Sequence, residues 1–284
     1  MRIAILGSSG HVANNLFRSF RDNKDFVYQF SRESIEDPYD INSMYNVRSY
    51  NELYYCNYDA IINCVGFGNP ASVETAGAEI FRVTEKYDNM CIDYLKIHPS
   101  TKYVYISSGV ANNRIDTSNL YQLSKIYTET KHRTLPELNI IDIRLYSFFT
   151  RFSNLEDSFF MSQLIKSIKN KTEFVTDEAL MWRDYINPKD LYSLIQLCLQ
   201  EEKINGWFNT FSLKPVEKFE ILEYFQNKYN LRVKFVPKHT GFSSSNDSSY
   251  FAKGTDGVKQ GYKPTYTSID TIKEESEFLL NGTT

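Results

Sequence analysis

The feature that most constrains the fold is the first dozen residues, where a short apolar run leads directly into two closely spaced glycines. Residues 2–6 form an apolar run typical of a parallel strand covered on both faces. Gly7, Gly10 and Ala13 then give a Gly-x-x-Gly-x-x-Ala turn into a predicted helix at 14–22. The first glycine allows a tight turn, the second lets the backbone approach a pyrophosphate, and the alanine permits close helix–strand packing. The stretch predicts a parallel α/β sheet with a phosphate-binding turn, and an ordinary strand–helix turn is the alternative.

A second pattern lies at Tyr121 and Lys125, within a predicted helix at about 120–135. Residues four apart lie one above the other on one helix face. An ammonium one turn from a phenol favours the phenolate, so the pair could give or take a proton as a hydroxyl and a carbonyl interconvert. An ordinary surface pair is the alternative, because a chain with 21 tyrosines produces this spacing by chance.

A third pattern stands about a dozen residues before that helix. Residues 102–109 predict a short apolar strand that ends in two hydroxyls, Ser107 and Ser108. Ligands of open α/β sheets bind at the carboxyl ends of the strands, so these hydroxyls are candidate site residues.

These three patterns, in this order, resemble the extended short-chain dehydrogenase/reductase family, and specifically its nucleotide-sugar (NAD-dependent epimerase/dehydratase) branch. The resemblance extends over nearly the whole chain. It implies a Rossmann-like, doubly wound parallel sheet with a smaller C-terminal substrate lobe. The expected division is a cofactor-binding domain at 1–150, to which a segment at about 178–212 returns, and a non-contiguous substrate lobe within 151–284.

The resemblance also implies the roles of individual residues. Ser108, Tyr121 and Lys125 correspond to the family's catalytic residues, with Ser107 as the alternative serine beside the substrate. Asp40 and Ile41 resemble an acid–hydrophobe pair beside the adenine, and a plain turn is an equal alternative. The residues expected to bind the cofactor through the glycine turn, the next strand ends and the catalytic helix are Gly7, Ser9, Gly10, His11, Val12, Gly66, Tyr121 and Lys125.

The end of the second predicted strand, 26–30, bears on the choice of cofactor. An acid here would accept hydrogen bonds from the ribose of NAD, but Ser31 and Arg32 follow the strand instead. A hydroxyl and a guanidinium suit a 2′-phosphate. NADP(H) is therefore favoured and NAD(H) is possible; an arginine that simply faces water is the alternative.

The substrate end is predicted from two further stretches. Residues 181–186 resemble the branch's Arg-Asp-aromatic-Ile strand, so Arg183 is expected to reach the diphosphate of a nucleotide sugar, with a surface salt bridge as the alternative. Gly109 and Val110 stand where the branch's 4,6-dehydratases have Asp-Glu, which argues against dehydration. The expected reaction is reduction of an NDP-4-keto-6-deoxy sugar for a surface polysaccharide. The alternatives are a 4-epimerase with tightly held NAD and a non-enzymatic NAD(P)-binding sensor.

Composition narrows the remaining classes of partner. The net charge of −3 offers no basic field for nucleic acid, and no apolar run approaches the roughly 20 residues of a membrane span. The four cysteines and four histidines are scattered without ligand spacing, so no metal is predicted. The start lacks a signal peptide's apolar core, which makes the cytoplasm the expected location. A long helix predicted at 71–97 carries an apolar stripe for the core or for a possible homodimer.

Overall fold

The central element of the computed structural model, which describes residues 1–32, 47–237, 249–253 and 256–282, is a sheet of seven parallel strands. The strands are β1 Arg2–Leu6, β2 Phe26–Phe30, β3 Val47–Arg48, β4 Ala60–Asn63, β5 Lys102–Ser108, β6 Ile140–Leu145 and β9 Asn205–Asn209. Their order across the sheet is β3-β2-β1-β4-β5-β6-β9.

The strand order reverses at β1, which pairs with β2 on one side and with β4 on the other. Ile3, for example, lies opposite both Val27 and Ala60. This reversal is the doubly wound arrangement, and ligands of such sheets bind where the order reverses. The predicted Rossmann-like fold is confirmed.

Helices cover both faces of this sheet, and further helices lie in the C-terminal half. In chain order the helices are α1 His11–Asp22, α2 Pro70–Ala76, α3 Glu79–Ile97, α4 Leu120–Arg133, α5 Phe160–Asn170, α6 Pro188–Leu199, α7 Lys218–Tyr229 and α8 Ser268–Asn281. Short 3₁₀ helices lie at Tyr50–Tyr55 and Gly109–Asn112.

The prediction of a single helix at 71–97 is wrong. The chain forms α2 and α3 instead, and Gly77 between them has a φ of +53°, a left-handed backbone conformation that interrupts a right-handed helix. The apolar stripe of α3 packs on the sheet through Cys91, Ile92 and Leu95.

Each face of the sheet has its own core. On one face Ile3, Ile5 and Ile62 pack against α1 and α6. On the other face the packing is against α3, and it includes the tyrosine rings of Tyr103 and Tyr105. The second face therefore brings phenol hydroxyls into the interior, where each needs a hydrogen-bond partner.

A third apolar core lies in the C-terminal half and gathers Leu164, Ile221, Phe225 and Ile272 from α5, α7 and α8. The small strands of this part form a three-stranded sheet, β10-β8-β12, and a pair, β11-β7. Their bounds are β7 Phe174–Thr176, β8 Trp182–Arg183, β10 Val216–Glu217, β11 Val233–Phe235 and β12 Ser249–Tyr250. The division into a domain and a substrate lobe stays a prediction. Within the described ranges no helix has both the length and the apolar character needed to cross a bilayer.

Candidate active site

A cleft of about 1590 Å³ opens at the carboxyl edge of the central sheet. It runs from the β1–α1 turn past the ends of β4 and β5 to β8, β12 and the third core. The predicted site residues that line it are His11, Val12, Gly66, Ser107, Ser108, Tyr121, Lys125 and Arg183.

The glycine turn at one side of the cleft has the conformation that its sequence predicts. Gly7 has a φ of +80°, and a Cβ there would come within 3.0 Å of the Val65 nitrogen, so only glycine lets β1 and the β4 loop approach this closely. Gly10 donates its N–H to the Gly7 carbonyl at 2.9 Å and caps α1, and within the described residues no side chain caps this helix. Ser9 and Gly10, which directly precede α1, are exposed. Uncapped N–H groups at a helix N-terminus fit the pyrophosphate of a dinucleotide.

His11, the first residue of α1, lines this side of the cleft and packs against two phenylalanine rings. Its ring stacks on Phe148 with centroids 5.8 Å apart and meets Phe159 edge-on at 6.4 Å. Burial lowers the pKa of His11 to about 4, so the ring is neutral at physiological pH. A phosphate bound here would receive backbone N–H groups without an imidazolium charge.

Lys125 is buried beneath the cleft. Its ammonium donates to the Tyr105 hydroxyl at 2.9 Å and to the Ile106 carbonyl at 3.2 Å. Burial lowers the pKa of Lys125 to about 8, against the opposing effect of carboxylates such as Glu129. The ammonium has three hydrogens and these two bonds occupy two of them, which leaves a donor for a ligand.

Tyr121 is aimed at the cleft by the way α4 begins. The Asn119 side chain accepts from the Gln122 N–H at 2.9 Å and caps the helix. The Gln122 amide in turn donates to the Val110 carbonyl at 2.8 Å, which fixes the start of α4 against the turn after β5. Lys125 Nζ then lies 5.6 Å from the centre of the Tyr121 ring. Burial raises the pKa of Tyr121, and a hydrogen bond from Ser108 opposes the rise.

The two serines at the end of β5 have different partners. Ser107 donates to Glu129 at 2.6 Å, and Glu129 forms a buried ion pair with Arg144 at 2.6 Å. Ser108 instead lies 2.8 Å from the hydroxyl of Tyr250. Ser107 is therefore tied to a buried ion pair, whereas Ser108 bonds Tyr250, which itself lines the cleft.

Arg183 lies at the opposite side of the cleft, on β8. One of its guanidinium nitrogens donates to the Trp182 carbonyl at 2.8 Å, and the guanidinium carbon is 5.9 Å from the centre of the Tyr250 ring. The cleft therefore has a cation on the side away from the glycine turn. Its predicted contact with a diphosphate stays a prediction.

The two residues predicted to recognise a 2′-phosphate, Ser31 and Arg32, have different environments at the end of β2. Ser31 is buried and its N–H donates to the Arg48 carbonyl at 3.2 Å, whereas Arg32 is exposed. Burial raises the pKa of Tyr50 to about 12, and the nearby charge of Arg32 opposes that rise. Asp40 and Ile41 lie outside the described residues.

Two residues of the site were not predicted from the sequence. Tyr105 has a usable signal, since Tyr103, Tyr105 and Ser107 alternate along β5 and therefore share one face. Tyr250 has none, because it is 142 residues from Ser108 and follows a serine-rich stretch.

No three His, Cys, Asp or Glu side chains lie close enough together to hold a metal ion, as far as the described part of the chain extends.

Many solved structures share this fold, and the three described here are distant from this chain in sequence. The UDP-N-acetylglucosamine 4-epimerase from Methanobrevibacter ruminantium M1, in complex with UDP-N-acetylmuramic acid, superposes with a TM-score of 0.82 at 15% identity over 99% of both chains. The UDP-glucose 4-epimerase from Thermotoga maritima, with UDP-glucose, gives 0.81 at 13% identity over 99% of both chains. The dTDP-glucose 4,6-dehydratase from Bacillus anthracis str. Ames, in complex with NAD, gives 0.78 at 13% identity over 98% of this chain and 96% of its own. At these identities the likeness establishes the fold.

Comparison at the level of sequence gives the family. No curated protein matches the chain. Residues 3–209, most of its length, match the sequence model of a single family. The chain belongs to the NAD dependent epimerase/dehydratase family, and it is an enzyme of the short-chain dehydrogenase/reductase type.

Proposed function

We propose that this enzyme uses a nicotinamide cofactor to reduce the 4-keto group of an NDP-4-keto-6-deoxy sugar, as a step in making a surface polysaccharide. The observation that carries the proposal is the convergence of Ser108, Tyr121 and Lys125 on one end of a cleft that also contains an uncapped, phosphate-compatible helix N-terminus. The solved structures with this fold include proteins in complex with UDP-sugars, which supports a nucleotide sugar as the substrate.

The chain's own residues would act on the carbonyl oxygen. When bound, a nicotinamide supplies the hydride for the carbon. Tyr121 gives its phenol proton to the oxygen as the carbonyl becomes a hydroxyl, and the Lys125 ammonium stabilises the phenolate that remains. Ser108 donates a hydrogen bond to the same oxygen and stabilises the negative charge that develops there.

The turn after Ser108 favours simple reduction over dehydration. A dehydratase of this branch is expected to have two carboxyl groups directly after the serine, where this chain has Gly109 and Val110. A Cβ at Gly109 would come within 2.4 Å of the Tyr146 ring, so Tyr146 already fills the space that a side chain would need. This packing supports a site that lacks a dehydratase's acid–base pair.

Arg32 supports NADPH as the cofactor. It is exposed at the end of β2, beside Tyr50, where a guanidinium can form a charge-assisted pair with a 2′-phosphate. Replacing Arg32 with alanine is expected to weaken NADPH binding by about 10-fold and leave NADH binding unchanged, because only NADPH has that phosphate. Fluorescence titration of both cofactors measures this. Arg82→Ala is the control, since Arg82 pairs with Glu79 on the surface of α3. Equal affinity of the wild type for NADH and NADPH would contradict the proposal.

A 4-epimerase is the second candidate, because two of the three solved structures described above are 4-epimerases. The two reactions differ in stoichiometry. A reductase consumes one NADPH for each product formed, whereas an epimerase ends its cycle with no net change in the cofactor.

The test follows NADPH absorbance and product together while the enzyme is incubated with NDP-4-keto-6-deoxy sugars and, separately, with NDP-sugars that carry a 4-hydroxyl. Reduction predicts that the keto sugars are consumed with equal amounts of NADPH oxidised and product formed, and Tyr121→Phe serves as the inactive control. Interconversion of C4 epimers of the hydroxyl sugars without loss of NADPH, and no reduction of the keto sugars, would overturn the reductase and favour the 4-epimerase.

A further inference from the structure

A second tyrosine reaches the proposed catalytic serine. Tyr250 belongs to β12, whose parallel pairing with β8 brings Tyr250 opposite Arg183. Its side chain is buried, at 6% exposed, and its ring packs 5.1 Å from that of Tyr146 in a small cluster that also contains Val110. The hydroxyl of Tyr250 is thereby held 2.8 Å from that of Ser108.

The hydrogen bonds around Ser108 can be counted. A serine hydroxyl has one hydrogen to donate and two lone pairs to accept with. The Val110 N–H approaches the Ser108 oxygen at 3.4 Å, a long contact, and the Tyr250 hydroxyl approaches it at 2.8 Å. If Tyr250 donates, both lone pairs of Ser108 are engaged and its own hydrogen is left for the cleft, where it can bond Tyr121 or a ligand. If Ser108 donates to Tyr250 instead, that hydrogen is used within the protein and cannot be donated to a ligand.

The surroundings favour Tyr250 as the donor. A phenol is a stronger hydrogen-bond donor than an aliphatic alcohol because it is the stronger acid. Burial raises the pKa of Tyr250 well above its usual range, so it keeps its proton at physiological pH. Tyr121 has Lys125 one turn away on the same helix, and it is the tyrosine to which the proposed reaction assigns the proton transfer. Tyr250 keeps its proton and is therefore suited to donate it to Ser108 in a hydrogen bond.

We propose that Tyr250 is a positioning residue: it donates to the Ser108 oxygen and so turns the Ser108 hydrogen toward the reacting oxygen of the substrate. Donation into Ser108 also polarises its O–H bond, which makes Ser108 a stronger donor in turn. This inference rests on the proposed function for its effect on turnover, and on geometry alone for the hydrogen bond itself.

The kinetic test compares Tyr250→Phe, Ser108→Ala and the double variant. Tyr250→Phe keeps the ring and removes the hydroxyl, so it is expected to lower kcat by about 10-fold with KM nearly unchanged. Because Tyr250 acts through Ser108, the double variant should be no slower than Ser108→Ala alone. Tyr262→Phe is the matched control, since Tyr262 is equally buried and its hydroxyl bonds the Phe211 carbonyl at 3.1 Å, in the core. Full activity of Tyr250→Phe, or effects that multiply in the double variant, would overturn the proposal.

A second readout is independent of the substrate. The protein is labelled with ¹³Cζ-tyrosine, and the Tyr121 resonance is assigned by its loss in Tyr121→Phe. Tyr250→Phe should shift this resonance at pH 8 and Tyr262→Phe should not, because only Tyr250 is connected to Tyr121 through Ser108. In a Ser108→Ala background, Tyr250→Phe should cause a smaller shift, because only the direct packing of Tyr121 against the cluster of Tyr250 then remains. An unmoved Tyr121 resonance in Tyr250→Phe would refute the proposal, whatever the enzyme's substrate proves to be.

Discussion

Helix α4 contains two buried cations, Lys125 and His132, seven residues apart and therefore about two turns along the same helix. Both face the tyrosine-bearing side of the sheet, and Tyr105 touches both: its hydroxyl accepts from Lys125, and its ring meets His132 edge-on at 5.6 Å. Their partners differ. Lys125 has a hydroxyl and a carbonyl, whereas His132 lies between two carboxylates, Asp88 at 2.8 Å and Asp142 at 2.6 Å.

The pKa values of the two cations move in opposite directions. Burial lowers the pKa of Lys125 to about 8. Burial would also lower that of His132, but the two carboxylates outweigh it and raise the pKa to about 9. The geometry agrees, because a neutral imidazole has one N–H and cannot donate from both nitrogens, whereas an imidazolium can. At the cleft end of α4, Lys125 has no carboxylate bonded to it, and its pKa is close to physiological pH. At the far end, two carboxylates balance the positive charge of His132 and so stabilise the fold.

The largest expected effect is on stability and comes from His132. His132→Leu leaves two buried carboxylates without their shared partner, so it should lower the free energy of unfolding by about 3–5 kcal/mol. Chemical denaturation measures this. His98→Leu is the control, because His98 is partly exposed and stacks on Tyr94 at 4.4 Å; a change of about 0.5 kcal/mol or less is expected there. Equal losses in the two variants would remove the distinction between the ends of α4.

The same pair of carboxylates predicts a pH dependence. The pKa of His132 is raised in the folded state from 6.5 to about 9, so its contribution is fully present below pH 6.5 and is lost as the pH rises through 9. The groups that face it are Asp88, Asp142, Tyr103 and Tyr105, with Lys131 and Arg133 on the outer oxygens of the two carboxylates. The difference in unfolding free energy between wild type and His132→Leu should therefore shrink between pH 6.5 and 9, by up to about 3 kcal/mol. A difference that grows with pH would show that His132 is neutral.

Lys125→Met should have the opposite effects to His132→Leu, namely a large loss of turnover and little loss of stability. Turnover is expected to fall by on the order of 10²-fold, because the phenolate of Tyr121 loses its cation. The free energy of unfolding should stay within about 1 kcal/mol of wild type, since a buried ammonium without a directly bonded carboxylate costs desolvation energy. Lys131→Met is the matched control on the same helix: Lys131 lies 2.5 Å from Asp88, so its loss should reduce stability and leave turnover intact. A Lys125→Met enzyme that unfolds like His132→Leu would make Lys125 structural.

Much of the cleft could be predicted because its parts are local in sequence. The β1 turn, the end of β5 and the first turns of α4 are each specified by a few adjacent residues, and the doubly wound topology brings them together. The contacts that decide what these residues do are not local. Ser107 and Ser108 are neighbours and chemically identical, yet Ser107 bonds Glu129 and Ser108 bonds Tyr250. Only the packing of β12 beside β8 reveals the second partner.

The measurement that tests the account most directly is transfer of deuterium from the reactive face of C4-deuterated NADPH to the sugar. If this cleft is the reductase site proposed above, wild type should place one deuterium on the former keto carbon for each NADPH oxidised. Tyr121→Phe should bind NADPH with unchanged affinity and transfer the label on the order of 10²-fold more slowly. Product that lacks deuterium, or a Tyr121→Phe enzyme that transfers it at the wild-type rate, would contradict the account.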